Sequence, residues 1–280
     1  MKKRKGTPVI WFTLGIAICV MIFSGYKLWE TQQIYRQGDE NYLDIVTLVR
    51  GPWPSQMPDE VILPQNQNSQ VENEDIHQRE PQVDMPFVYI DFDALKAINP
   101  DAAAWLYSPD TVIDYPVMRA DDYSWYLSHL PNGTENANGT LFLDYNSPAD
   151  FSGALSIIYG HNMKSGKMFG SLGKYKNQAY FDEHQYMYLN TAENGNYRID
   201  LLYGCVIGAN QWRERAFMFD SNLPSLLAYA QRNTTFVSDV EYTDADRFVV
   251  LATCSYEFDT ARYIVIGKLM PEFADDAVDY

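Results

Sequence analysis

The chain has 280 residues, of which 46% are hydrophobic, enough to bury the core of one domain that carries additional segments. Its formal net charge is -16, and all 37 acidic residues come after residue 26. Such an acidic surface argues against non-specific binding to nucleic acid, because that binding depends on basic side chains that neutralise phosphates.

The first segment with a clear pattern is an uncharged run from Pro8 to Tyr26. As a helix it would span about 28 Å, close to the thickness of the hydrocarbon core of a bilayer. A cleaved secretory signal is the alternative, but the run is longer than a typical signal core and no A-x-A-like site follows it. We therefore predict a cytoplasmic basic tail over residues 1–7 and a transmembrane anchor over residues 8–26, with the remainder outside the cell because the basic cluster stays inside.

Residues 27–85 are predicted to form an extracellular helix followed by a flexible stalk. The helical pattern covers residues 27–50, although Gly38 weakens it. The part after this helix is rich in Pro, Gln, Asn and Glu and has too few large apolar side chains to fold on its own. The folded domain is predicted over residues 86–270, followed by an acidic tail over residues 271–280.

Within the domain, short apolar and β-branched runs alternate with turn residues, as expected for many short strands. Helical patterns are fewer; the clearest is Ser221–Asn233, with Ser221 suited to cap it, and another is Asp91–Ile98. Six runs are predicted as strands: Thr111–Met118, Gly139–Tyr145, Gly153–Gly160, Tyr197–Gly208, Arg247–Cys254 and Arg262–Leu269. Many strands with few helices predict a mostly β fold, a barrel with peripheral helices.

The three cysteines form no obvious pair. Cys19 lies in the predicted anchor, and Cys205 lies in an apolar run, where it is most simply a small buried hydrophobic residue. Cys254 ends a predicted strand, and an unpaired cysteine in an extracellular domain indicates a reactive thiol. A second core cysteine is the alternative, and the residues alone leave the two open.

A reactive cysteine needs a base or cation nearby and donors for the oxyanion that it creates. Of the four histidines, His161 directly follows an apolar strand, a position that suits catalysis. Arg262 opens the strand after Cys254, where its guanidinium could donate hydrogen bonds to a substrate carbonyl. A surface ion pair of Arg262 with Glu257 or Asp259 is the alternative. Three complementary residues at strand ends together favour a cysteine-dependent active site.

These residues and their neighbours resemble the class B sortases, which are membrane-anchored cysteine transpeptidases of Gram-positive bacteria. The resemblance covers roughly residues 88–270 and keeps the order His, Cys, Arg. It is carried by Leu95–Leu106, Ile113–Met118, Tyr126–Leu130, Ile157–Tyr175, Leu251–Glu257 and Arg262–Leu269. The chain departs from the family pattern at three positions, since Val250, Ala252 and Tyr123 stand where relatives usually have Thr, Ser and Asn.

The resemblance implies a sortase-type closed barrel and a two-step reaction. Cys254 would attack the Thr carbonyl of a C-terminal sorting signal, His161 would act first as acid and then as base, and Arg262 would hold the carbonyl oxygen. The segment Ala209–Glu241 would wall the substrate groove. Substrate contacts are expected at Leu127, Tyr123, Ala252 and Thr253. Neither a metal nor a cofactor is expected, and no metal-binding spacing or phosphate-binding loop occurs in the sequence.

The expected partners are secreted proteins that carry a C-terminal sorting motif, a peptidoglycan precursor that supplies the acceptor amine, and the membrane itself. A pilin lysine is an alternative acceptor. A cysteine peptidase and a catalytically inert surface domain are the alternative functions. A papain-like peptidase is disfavoured because those enzymes place the cysteine before the histidine, whereas here His161 precedes Cys254.

Overall fold

The computed structural model describes residues 7–51, 88–216 and 222–271. Within them the strands are β1 (Arg50–Gly51), β2 (Tyr89–Ile90), β3 (Ala102–Tyr107), β4 (Asp114–Met118), β5 (Leu141–Leu143), β6 (Leu155–Tyr159), β7 (Tyr186–Thr191), β8 (Asn196–Gly208), β9 (Phe248–Cys254) and β10 (Ala261–Pro271). The α-helices are α1 (Thr7–Val49), α2 (Phe92–Ile98), α3 (Gln178–Glu183), α4 (Ala209–Ala216) and α5 (Leu223–Asn233). Two 3-10 helices cover Trp125–Leu127 and Phe169–Lys176.

Eight of these strands close into a barrel in the order β10-β8-β7-β3-β4-β5-β6-β9. Neighbouring strands are antiparallel except for β4 with β5 and β6 with β9, which run parallel. Closure leaves the barrel without a free edge, and the helices lie outside it. The predicted mostly β barrel with peripheral helices is therefore confirmed.

The six predicted strands all occur, with small differences at their ends. Two barrel strands, β3 and β7, were not predicted. The sequence of β3, "AAAWLY", contains three alanines, which have low strand propensity, and its burial depends on neighbours distant in the chain. Helix α5 begins at Leu223 with Asn222 in the capping position, whereas the predicted cap Ser221 lies outside the described residues.

Strand β9 shows how the two sides of the barrel wall differ. Leu251 points into the barrel interior, whereas Val250 and Ala252 belong to an outer cluster that includes Trp212 of α4 and the apolar face of α5. Side chains alternate between the faces of a strand, so Cys254 continues the outer series. It lies at the end of β9 and is exposed.

Helix α1 is continuous over 43 residues and passes through Gly38 without a break. It is the one helix within the described residues that is long and apolar enough to cross a membrane, by length and composition. Its early side chains are exposed, but Tyr42, Ile45 and Val49 are buried against the rest of the fold. The last turns of α1 therefore pack into the same unit as the barrel. That unit includes these turns as well as the domain predicted from residue 86 onward.

The predicted stalk lies almost entirely outside the described residues, but the residues that flank the undescribed segment 52–87 are described. Arg50 pairs with Ile90 in the antiparallel β1–β2 ladder, and the Asp91 amide donates to the Val49 carbonyl at 2.8 Å. Because the two ends meet, this segment does not set the distance between α1 and the barrel. The predicted terminal tails also lie outside the described residues, apart from Thr7 and Pro271.

Candidate active site

Cys254 and Arg262 face each other across the antiparallel β9–β10 pair. Directly opposite residues in such a pair have Cβ atoms roughly 5 Å apart and project from the same side of the sheet. The strand register alone therefore places the two side chains next to each other on the same side of the sheet. Cys254 is exposed, whereas Cys205 is fully buried and burial raises its thiol pKa to about 12.

His161 is held at the same end of the barrel because β6 runs parallel to β9. The Thr253 hydroxyl donates to the Gly160 carbonyl at 2.8 Å, immediately before His161. One residue after it, the Asn162 amide Nδ2 donates to the Cys254 carbonyl at 2.7 Å. These bonds on both sides of His161 fix its backbone against the end of β9.

The ring of His161 has a defined orientation. Its Nε2 lies 2.7 Å from the Leu127 carbonyl oxygen. A carbonyl only accepts, so Nε2 carries the proton and Nδ1 is left to exchange a proton with a reacting group. Gly139, at φ +59°, lies against this pair, and a Cβ there would come within 3.0 Å of His161 Cδ2 and 2.9 Å of the Leu127 oxygen. Only glycine fits at that position.

Arg262 has no carboxylate at ion-pair distance within the described part of the chain. Its Nη1 donates instead to the carbonyls of Thr260, at 3.4 Å, and Ala261, at 3.2 Å. Of the two proposed surface partners, Glu257 pairs with Lys176 and accepts from the Ser255 hydroxyl. The guanidinium thus retains donors that can bind an oxyanion.

The Glu257 carboxylate anchors the β9–β10 turn, which separates Cys254 from Arg262. Burial by itself would raise its pKa, but hydrogen bonds from Lys176 and Ser255 outweigh burial and lower the pKa to about 2. The Lys176 ammonium also lies 4.8 Å from the centre of the Tyr263 ring. Lys176 therefore ties the turn to the segment that follows His161.

Comparison with known proteins places this geometry in a family, although no family model matches the chain. The chain is 30% identical over 179 residues to Sortase B of Listeria monocytogenes, covering 63% of this chain and 72% of that protein. The chain belongs to the sortase B family.

Two solved sortase structures share the fold. The Staphylococcus aureus sortase B–substrate complex matches with a TM-score of 0.60 and 25% identity over 65% of this chain and 85% of that one. A class B sortase of Streptococcus pyogenes involved in pilus biogenesis matches with a TM-score of 0.59 and 28% identity over 64% of this chain and 98% of that one. The predicted family and closed barrel are confirmed, and so is the enzyme class, because sortase B enzymes are cysteine transpeptidases.

The four predicted substrate contacts lie in different environments. Leu127 is 42% exposed beside His161, where a ligand can touch it. Tyr123 is half-buried, and its hydroxyl donates to the buried Asp144 carboxylate at 3.3 Å. Ala252 and Thr253 are buried, and the Thr253 hydroxyl is already bonded to Gly160. Substrate contact at these four positions stays a prediction for this sortase B family member.

Sequence reasoning did not single out Asn162, Lys176 or Tyr42 as supports of the site. Asn162 lies beside His161 in the segment Ile157–Tyr175 that carries the family resemblance. Its bond to Cys254, however, depends on the parallel pairing of two strands that are distant in the chain. Tyr42 lies on α1, where the periodicity of the buried positions was the only available signal.

Proposed function

We propose that this sortase B family member cleaves a C-terminal sorting signal after a Thr and transfers the protein to an amine of a peptidoglycan precursor. The observation that carries the proposal is the direct cross-strand pairing of Cys254 with Arg262, with His161 held at the same barrel end. A nucleophile, a proton carrier and an oxyanion donor are the three parts that acyl transfer requires.

The first half-reaction begins when the Cys254 thiol gives its proton to His161 Nδ1, which leaves an imidazolium protonated at both ring nitrogens. The Cys254 thiolate then attacks the Thr carbonyl carbon. The Arg262 guanidinium donates hydrogen bonds to the carbonyl oxygen as negative charge develops there. The peptide C–N bond then breaks, and His161 gives a proton from Nδ1 to the departing amine. The product is a thioester between Cys254 and the new C-terminus.

In the second half-reaction the acceptor amine attacks the thioester carbonyl. His161, now neutral at Nδ1, takes a proton from the attacking nitrogen. The C–S bond breaks, the Cys254 thiolate is restored, and an amide joins the substrate protein to the acceptor. His161 thus acts as acid and then as base, and its orientation by the Leu127 carbonyl serves both steps.

Two partners of the site are part of the proposal. The S. aureus relative was solved as a complex with substrate, which supports a peptide signal as donor. The S. pyogenes relative is involved in pilus biogenesis, which supports a pilin lysine as the second candidate acceptor.

The apolar part of α1 supports a single-pass anchor, with the basic N-terminus in the cytoplasm and the barrel outside.

The test is intact mass spectrometry of the full chain in detergent, compared with Cys254→Ala. Each protein is mixed with a pool of candidate sorting-signal peptides, with and without hydroxylamine, a short amine peptide or a lysine peptide. We expect a thioacyl adduct on the wild type alone, released as an amine conjugate. Hydrolysis without amine capture would support a peptidase, and an unreactive Cys254 in a folded protein would support an inert domain.

A further inference from the structure

Helix α1 has two parts with different surroundings. Its large apolar side chains at the start, from Trp11 to Trp29, are mostly exposed. From Ile34 onward, one face of the helix packs against the rest of the fold. No break separates the two parts, so the backbone that would cross the membrane is the same rod that contacts the barrel.

Contact with the barrel begins close to the apolar part. The Asn136 amide donates to the Ile34 carbonyl at 2.9 Å, and the Asn138 amide donates to the Tyr35 carbonyl at 3.4 Å. At Gly38 a Cβ would come within 2.1 Å of Asn138 Nδ2, so the helix backbone lies directly on this loop.

The far end of α1 is fixed as well. Arg50 forms an ion pair with Asp114, its guanidinium lies 4.9 Å from the centre of the Tyr107 ring, and β1 pairs with β2. The attached stretch from Ile34 to Arg50 is about 24 Å long. A rod fixed at both ends of such a stretch cannot swing relative to the barrel.

The same helix touches the loop that follows His161. Asp39 forms an ion pair with Lys167 at 2.5 Å. Lys27 is the first charged residue after the apolar run. Asp39 comes twelve positions later, about 18 Å farther along the helix. Ile34 is only about 10 Å beyond Lys27, a distance comparable to the headgroup layer.

We infer that α1 is a rigid strut that seats the barrel on the lipid surface, with the loop 131–139 toward the headgroups and the turn 108–113 away from them. The active site is thereby held at a fixed height, within reach of substrates that are still retained at the membrane. Because β1 pairs directly with β2, the distance of the barrel from the membrane is set by α1. The inference rests on the membrane anchoring given under the proposed function.

The test measures how close two labelled sites on the barrel lie to the lipid headgroups, and it does not need enzymatic activity. The full chain, with Cys19→Ala and Cys254→Ala, is reconstituted into phosphatidylcholine vesicles that contain headgroup-labelled quencher lipid. A fluorophore is attached at Ala137→Cys, next to the contacts with α1, or at Val112→Cys as the matched exposed site in the distant turn. We expect quenching at Ala137 and little at Val112, which lies beyond the Arg50 end of the helix.

Two insertions after Glu30 probe rigidity. A helical insertion of about seven residues lifts the barrel by roughly 10 Å and should abolish quenching at Ala137. A flexible Gly/Ser insertion of about eight residues should remove the difference between the two sites. Three results with the unmodified helix would contradict the inference that α1 holds the barrel rigidly: equal quenching at both sites, stronger quenching at Val112, or no quenching at either site. Failure of thioacyl formation in the mass-spectrometric assay would instead overturn the proposed function and leave the quenching pattern intact.

Discussion

The hydroxyl of Tyr42 donates a hydrogen bond of 2.6 Å to the carbonyl of Gly139. Tyr42 lies on the helix that leads from the apolar segment, and Gly139 lies against the ring of His161. This contact connects α1 to the loop that orients the proposed acid–base residue.

Replacing Tyr42 by Phe should weaken this connection and keep the ring in place. The buried Gly139 carbonyl loses a donor, so we expect the free energy of unfolding to fall by about 1 kcal/mol. A loosened His161 should also lower kcat by roughly three- to tenfold with little change in KM, because the hydrogen bond is remote from bound peptide. Tyr35→Phe, at a more exposed position of the same helix, is the control. An unchanged kcat in Tyr42→Phe would show that the contact is structural only.

Gly139 and Gly133 form a matched pair for testing the space around His161. Both have positive φ, +59° and +80°, but a Cβ would meet three close atoms at Gly139 and nothing within 4 Å at Gly133. Alanine at either position should cost about 1–2 kcal/mol of backbone strain. At Gly139 we expect about 1–3 kcal/mol more from the overlap, together with a loss of turnover. Urea unfolding measures the loss of stability, and peptide turnover measures the loss of activity. Equal losses in the two alanine variants would contradict the crowding around His161.

The catalytic candidates could be predicted from the sequence more fully than the strands and helix that hold them in position. Cys254, His161 and Arg262 stand at strand ends in recognisable motifs, so local pattern and family resemblance sufficed to select them. The strand β3 was missed because three alanines carry little strand signal and its partners lie far along the chain. The role of α1 was missed for the same reason, since Gly38 weakens a helix locally and only the contact with Asn138 shows why glycine stands there.

Arg262→Lys should separate charge from geometry at the proposed oxyanion site. Lysine keeps the positive charge but lacks the planar fork of donors, so we expect kcat/KM to fall by about 100-fold, as when an oxyanion donor is lost. Arg198→Lys is the control, because Arg198 pairs with Asp200 and lies opposite Met270 at the other end of β10. Steady-state kinetics with the peptide found by mass spectrometry would decide. Full activity in Arg262→Lys would show that a point charge is sufficient.

Cys254 and Cys205 should differ sharply toward iodoacetamide at neutral pH. Cys254 is exposed, whereas Cys205 is buried with a thiol pKa raised to about 12 by burial, and the thiolate is the reacting form. We expect one rapid alkylation at Cys254 in the folded domain, with Cys205 labelled only after unfolding. Cys254→Ala should change the free energy of unfolding by no more than about 0.5 kcal/mol, as is usual for exposed positions. Peptide mapping identifies the labelled site, and rapid labelling of Cys205 would refute the assignment.

Lys176→Met should make the β9–β10 turn less stable in a pH-dependent way. The Glu257 pKa is lowered to about 2 in the folded protein, so the stability contributed by its ionised form is present above its ordinary range near 4.5 and is lost as the pH falls through about 2. Wild type should therefore have a higher Tm than Lys176→Met at pH 7, and the difference should shrink as Glu257 is protonated. Lys96→Met, which removes a more exposed pair with Glu193, should show little difference at any pH. Thermal melts of the three proteins between pH 7 and pH 2 measure this, and a constant difference between wild type and Lys176→Met would mean that Lys176 stabilises the turn by packing on Tyr263 and not through the carboxylate.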